Sequence, residues 1–397
     1  MAEPEGGRAR RRGLLGLGAS GALAAGGCSG LRRGQAVPRA LTGQATVLGI
    51  ANERFLIPQG LPALVREYET AFERRMRHGA AGRSHAMLAV SGGGEDGAFG
   101  AGLLCGWTAQ GSRPVFDIVT GVSTGALTAP FAFLGPGWDA PLRAVYTDIT
   151  PAQVLSPRFI TAALTDDALS DNAPLFGTIS RYLDDRMLAA IAEGYAQGRL
   201  LLVGTANLDA QLPVTWNIGA IAASGHPRAL DLVRRILLAS AAVPGAFPPV
   251  MIDVTAGGRT YQEMHVDGGA FTQIFLYPRR LAELRRGRPG RGPGVVPARA
   301  YVIRNARLDP AWAMVNRRAI SIAGRAISTM IASGGYNDIV RIWTATRQDG
   351  VEFNLAYIGA DFTGSYSEPF EQAYMRALFA YAFDRARRGF DWAKQPP

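Results

Sequence analysis

The stretch Asp117 to Leu127 reads D-I-V-T-G-V-S-T-G-A-L, and Ser123 stands in it as the serine of a G-x-S-x-G pattern between Gly121 and Gly125. Ile118, Val119 and Thr120 form a short β-rich run, and from Ala126 the residues are small or apolar, as at the start of a buried helix. Strand, tight turn, helix is the order that presents a serine hydroxyl as a nucleophile. A serine on so sharp a turn adopts a strained backbone, so its neighbours must be small. The helix amino terminus beneath it favours developing negative charge. In a chain with 49 glycines the same letters also describe an ordinary Gly-rich turn, so the surroundings must decide.

Two further stretches supply that context. Ala86 to Val90 is a continuous apolar run suited to a buried parallel strand, followed by S-G-G-G-E-D-G-A-F-G from Ser91 to Gly100. Gly92, Gly94 and Gly97 satisfy G-x-G-x-x-G, which in a dinucleotide-binding fold cradles a pyrophosphate. No second βαβ half with a ribose-binding acid follows; the next strand ends instead in the Ser123 turn, one helix and one crossover later. A row of backbone N–H groups at a helix start also makes the anion-binding concavity that an oxyanion hole needs. Tyr261 to Gly269 reads as a strand that ends in Asp267 and opens a turn at Gly268 and Gly269, where a carboxylate can face a neighbouring loop.

Composition sets the frame. The chain has 397 residues, 48% hydrophobic and 19% charged, which is a globular composition with a full core. The net charge of +10 gathers in an amino-terminal arginine cluster (Arg8 to Arg39) and in the run Arg279 to Arg291. Neither is interleaved with aromatics on a nucleic-acid module, so nucleic-acid binding is not expected. A targeting signal and a solvated loop account for both; attraction to anionic lipid is the other reading of the second run. Cys28 and Cys105 are too few for a disulfide framework, no Cys/His cluster has metal-ligand spacing, and no metal or cofactor is implied.

Residues 1–28 read as a bacterial export signal: Arg8 to Arg12, then a short weakly apolar stretch, then small residues before Cys28. Arg11 to Leu15 resemble the core of a twin-arginine signal, and Ala24 to Cys28 resemble a lipobox, with Ala25 where Leu is usual. The expectation is an exported protein, periplasmic or anchored through an acylated Cys28; a plain secretory signal is the alternative. Residues 29–45 read as a tether, and 46–397 as one domain, with its motifs in 86–275 and a helical and strand extension over 300–397. Within it, Leu61 to Arg77 has the apolar period of an amphipathic helix, Leu164 to Leu175 suggests a cap, and Arg199 to Thr205 a buried strand. Ala229 to Ala242 suits a helix, Gly287 to Pro297 a surface insertion, Ala319 to Arg347 a helix broken at Gly334 and Gly335, and Glu368 to Arg388 a closing helix.

With these residues collected, the chain resembles the patatin-like phospholipases, a family of acyl hydrolases. Three motifs stand in that family's order: G-x-G-x-x-G at Gly92 to Gly97, G-x-S-x-G at Gly121 to Gly125, and D-G-G at Asp267 to Gly269. The segment S-A-A-V-P-G-A-F-P-P, Ser240 to Pro249, also resembles one the family carries before its last motif. The resemblance implies a three-layer α/β/α sandwich with a mostly parallel central sheet. It implies Ser123 as nucleophile, Asp267 as its base, and Gly92, Gly93 and Gly94 lining the oxyanion hole. The substrate it implies is a lipid or ester met at a membrane surface; no oligomeric state is implied. One position departs: where the family usually carries Arg or Lys, this chain has Asp96, preceded by Glu95. That favours neutral lipids or simple esters over phospholipids.

On this reading a Ser–Asp dyad cleaves a carboxylic ester through an acyl-serine intermediate. A Ser-His-Asp triad of the α/β-hydrolase type would place His after the acid. None of His78, His85, His226 and His265 follows Asp267, so a triad would need His226 or His265 with Asp209. His265 reads better as a packing residue, and Asp117, Asp166, Asp167 and Asp171 as capping, turn or surface groups. A lipid-binding module on a degenerate hydrolase fold is the non-enzymatic alternative. Phe131, Phe133, Leu134 and Trp138 are candidates either for an exposed apolar rim or for core.

Overall fold

The computed structural model describes residues 33–79, 83–157, 168, 170–277, 298–310 and 312–397. The expected export signal with Cys28, the Arg279 to Arg291 run with its insertion, and residues 164–167 and 169 of the expected Leu164 to Leu175 cap lie outside the described residues.

Five strands build the parallel heart of the sheet: β2 (His85–Val90), β3 (Ile118–Val122), β6 (Leu200–Asn207), β10 (Ala298–Arg304) and β11 (Glu352–Tyr357). They lie in the order β6-β3-β2-β10-β11, every neighbouring pair parallel. β7 (Leu212–Asn217) returns antiparallel beside β6, and β1 (Arg54–Leu56) pairs antiparallel with β7 at that edge. A hairpin of β8 (Val250–Ala256) and β9 (Arg259–Asp267) joins through β9, whose last residues pair with the end of β6. β4 (Ser156–Pro157) and β5 (Ser170–Asp171) form a separate two-stranded ladder.

Why these runs become buried strands is visible in β2. Leu88 and Val90 enter one core cluster, whereas Met87 and Ala89 enter the other. Side chains alternate across a sheet covered on both faces, so the strand is apolar throughout. The first face carries α2 (Gly97–Gln110), α3 (Thr124–Leu134), α4 (Asp139–Thr147), α5 (Ala173–Tyr182), α6 (Asp185–Ala196), α8 (Ala229–Ser240) and, against α2, α10 (Gln372–Arg387). The second face carries α1 (Leu61–Arg77) and the inner half of α9 (Ala319–Asp349). The short helix α7 is Ile218–Ala223. This is the α/β/α sandwich the sequence implies.

Three readings change. Residues 33–45, expected as tether, pack along the β8–β9 hairpin: Arg33 pairs with Asp209 at 2.7 Å, and Gln35 O accepts the Gln262 N–H at 2.9 Å. α9 runs through Gly334 and Gly335 without a break. A Cβ on Gly335 would stand 2.6 Å from the Arg304 guanidinium carbon, so the glycine there admits a neighbour rather than ending a helix. Asp117 is not at the surface: it is buried at the foot of β3, pairs with Arg75 at 2.7 Å and accepts the Ala86 N–H at 3.0 Å.

Candidate active site

The parallel strands end at one edge, and the motif residues meet there. β3 stops at Val122, and Ser123 caps α3 with φ 56° and ψ −130°, a conformation most side chains avoid. The turn closes because its flanks are bare: a Cβ on Gly121 would lie 2.4 Å from Gly125 O, and one on Gly125 would lie 2.2 Å from Val90 O. Ser123 is buried, and its own N–H donates to Ser240 Oγ at 3.0 Å.

Asp267 ends β9 opposite Thr205 of β6, which brings it beside the Ser123 turn. Its backbone N–H donates to Ala242 O at 2.9 Å, and its Oδ1 accepts the Gly269 N–H at 2.7 Å. Oδ2 is buried without a hydrogen-bond partner among the described residues. Burial raises this carboxyl to a pKa of about 6, against the opposing pull of the Ser123 hydroxyl and the Gly269 N–H. Ser123 thus acts on Asp267 from short of full hydrogen-bond geometry. Such contacts commonly tighten only once substrate is bound.

The Gly-rich loop follows β2 on the other side of Ser123. Gly92 touches the nucleophile directly, since a Cβ there would sit 2.9 Å from Ser123 Cβ. Its N–H, expected as an oxyanion donor, is already given to Gln273 O at 3.3 Å. The N–H groups of Gly93 and Gly94 have no acceptor among the described residues. Gly93 admits the chain past Asn305, whose carbonyl oxygen would be 2.0 Å from any Cβ. Gly97 opens α2 against Thr124 and Tyr146, while Gly268 and Gly269 form the turn after Asp267.

Several supports were not singled out in the sequence. Gln273 binds Gly269 O through Nε2 at 2.9 Å, and its N–H donates to Asp338 of α9 at 2.7 Å. Asn305 accepts the Gly100 N–H at 3.0 Å and donates to Ser91 O at 2.9 Å, fixing both ends of the Gly-rich loop. Asp96 accepts from Tyr374 Oη of α10 at 2.5 Å. Burial raises the Asp96 carboxyl to a pKa of about 6, with Tyr374 opposing and Glu95 adding to the rise.

The histidines lie elsewhere. His265 is buried between Thr205 Oγ1 and Glu263 Oε2, each at 3.0 Å, and burial lowers its pKa. His226 accepts the Arg228 N–H on the loop after α7, and Asp209 is taken by Arg33. None of the four hydrogen-bonds to Ser123 among the described residues. Phe131 and Phe133 are core, and Leu134 and Trp138 are half-buried against it.

Next to Ser123 a narrow cleft is lined by Gly94, Glu95 and Thr124. It runs along α3 past Leu127 and Phe131 toward Ile179, Met187 and Leu237. The polar groups in its wall satisfy one another: Tyr146 Oη lies 2.8 Å from both Thr124 Oγ1 and Thr128 Oγ1. Apart from Glu95, most of what remains facing the space is apolar.

Residues 88–276 match the family model of the patatin-like phospholipases. That patatin-like segment begins in β2 and ends just beyond Gln273, so it contains Ser123, Asp267 and the Gly-rich loop. At the level of the family, the match points to hydrolysis of lipid esters. No curated protein matches the chain. Among solved structures it is similar to VipD from Legionella pneumophila, at 10% identity and a TM-score of 0.35, covering 77% of this chain and 67% of that one. Asn305, Asp338 and Tyr374, which bind Ser91, Gln273 and Asp96, all come from beyond the matched segment.

Proposed function

We propose that the protein is a lipid acyl hydrolase in which Ser123 and Asp267 act as a dyad. The observation that carries this is the strained Ser123 turn set against the unbonded, buried Oδ2 of Asp267. Asp267 takes the hydroxyl proton as Ser123 Oγ attacks the ester carbonyl. The resulting oxyanion meets the Gly93 and Gly94 N–H groups, aimed from a loop at a helix start. Collapse breaks the carbonyl–alcohol bond, and the leaving alcohol takes the proton back from Asp267. Water, deprotonated by the same carboxylate, then attacks the acyl carbonyl; the acyl–Oγ bond breaks, Asp267 returns the proton to Ser123 Oγ, and the fatty acid leaves. The apolar cleft that opens at Gly94 and Thr124 suits the acyl chain. The carboxyl of Glu95, which lines the cleft beside Gly94, disfavours a substrate phosphate there, so neutral acyl esters are the preferred class. Export, with acylation of Cys28, belongs to the same proposal on the ground of the sequence alone.

A fluorophosphonate probe and a short p-nitrophenyl ester test the dyad on folded wild type, Ser123→Ala and Asp267→Asn. Wild type should label and turn over, and both variants should be silent. Full activity in Asp267→Asn would move the base elsewhere, and a folded wild type inert to both reagents would end the enzymatic reading.

A further inference from the structure

We infer that the outer half of α9, with the segment leading into it, docks the protein on an anionic lipid bilayer. α9 has 31 residues, a length of about 46 Å, roughly twice that of the seven-residue strand β10 it follows. It packs on the body at Gly335, against Arg304, and at Asp338, which accepts the Gln273 N–H. Arg304 ends β10 at the carboxyl edge of the sheet, the edge that carries Ser123. From there α9 runs back toward the start of β11. Its first 16 residues, Ala319 to Gly334, therefore extend about 24 Å beyond the catalytic edge.

That extension is largely exposed. From Ile322 to Ser333 every residue except Arg325 is exposed, including Ile322, Ile327, Met330 and Ile331. Met330 is 72% exposed, and just before the helix Trp312 is 90% exposed, with Met314 close behind. Single exposed apolar side chains are ordinary; a row of them on a projecting helix marks a docking surface. Charge selects the partner. Between Pro310 and Asn337 there are three arginines, Arg317, Arg318 and Arg325, and no Asp or Glu. Apolar side chains interspersed with cations fit the headgroup and acyl boundary of an anionic bilayer. A second copy placed on this surface would oppose like charges. No described helix is long and apolar enough to cross a membrane, so the helix lies in the interface. The docking rests on this surface and not on the proposed catalysis.

The test is sedimentation of the full chain with phosphatidylcholine vesicles, with and without phosphatidylglycerol, alongside turnover of a soluble short ester. Wild type should bind the anionic vesicles and bind the neutral ones more weakly. Ile327→Glu/Met330→Glu and, separately, Arg317→Glu/Arg318→Glu should each weaken anionic-vesicle binding by roughly tenfold or more while soluble turnover is unchanged. Wild type failing to bind anionic vesicles, or the apolar variant binding as wild type does, would overturn the inference. So would a wild-type dimer that the apolar variant splits, because the surface would then belong to a second copy. Vesicle binding without ester turnover would sustain the docking and strike only the catalytic reading.

Discussion

Ser240 Oγ accepts the backbone N–H of Ser123 at 3.0 Å and donates its own proton to Gly204 O at 2.7 Å. One fully buried hydroxyl at the end of α8 thus ties the nucleophile's turn to β6. A backbone as strained as that of Ser123 persists only where its surroundings hold it. Ser240→Ala removes both bonds and strands a buried donor and a buried acceptor. Stability should fall by about 1–3 kcal/mol, read by urea unfolding. For a short ester, kcat should fall with KM little changed, because the cleft is intact and only the nucleophile is loosened.

The pH profile follows from the buried carboxyl of Asp267. A base must be ionised to accept the Ser123 proton, so kcat/KM on a neutral ester should decline as pH falls through about 6. Asp96 is raised to the same range by its burial, so Asp96→Asn is the control: the acid limb should remain. Stability should move the other way. With its folded pKa above the unfolded value, Asp267 contributes stability that is full below pH 4 and lost as pH rises through about 6. Asp267→Asn should therefore be inactive yet more stable than wild type at pH 8, by on the order of 2–3 kcal/mol, the difference vanishing near pH 4. Thermal unfolding at the two pH values reads it.

What the sequence could convey was local. The Ser123 turn is encoded within a few residues, since strand, small flanks and helix follow one another directly, and β3 and α3 fall on either side of it as read. The supports of the site come from far along the chain. Ser240 stands 117 residues from Ser123, and Asn305 stands 214 from Ser91, so no local pattern marks either as a partner. Asp117 looked like a turn group because nothing near it in sequence signals Arg75, brought over by α1. Gly334 and Gly335 suggest a helix break, whereas α9 continues through both and Gly335 leaves room for the Arg304 guanidinium. The acceptor of the Gly92 amide, Gln273 O, has no local signal for the same reason: it enters from a distant loop.

The cleft offers a prediction about chain length. Thr124 and Leu127 line it near its mouth, with Ile179 of α5 and Met187 of α6 farther along, so an acyl chain entering from Ser123 would pass the short-chain positions first. Ile179→Trp adds bulk in the distal part without touching Ser123, Asp267 or the Gly-rich loop. Overpacking of this kind should cost about 1–3 kcal/mol of stability, which the described core can absorb. On p-nitrophenyl acetate, kcat/KM should stay near wild type. On the palmitate ester it should fall by roughly tenfold or more, because several methylenes lose their apolar surroundings at about 0.8 kcal/mol each. A parallel loss on both esters would mean that the substitution disturbs the site itself, and an unchanged ratio would place the acyl chain outside this cleft.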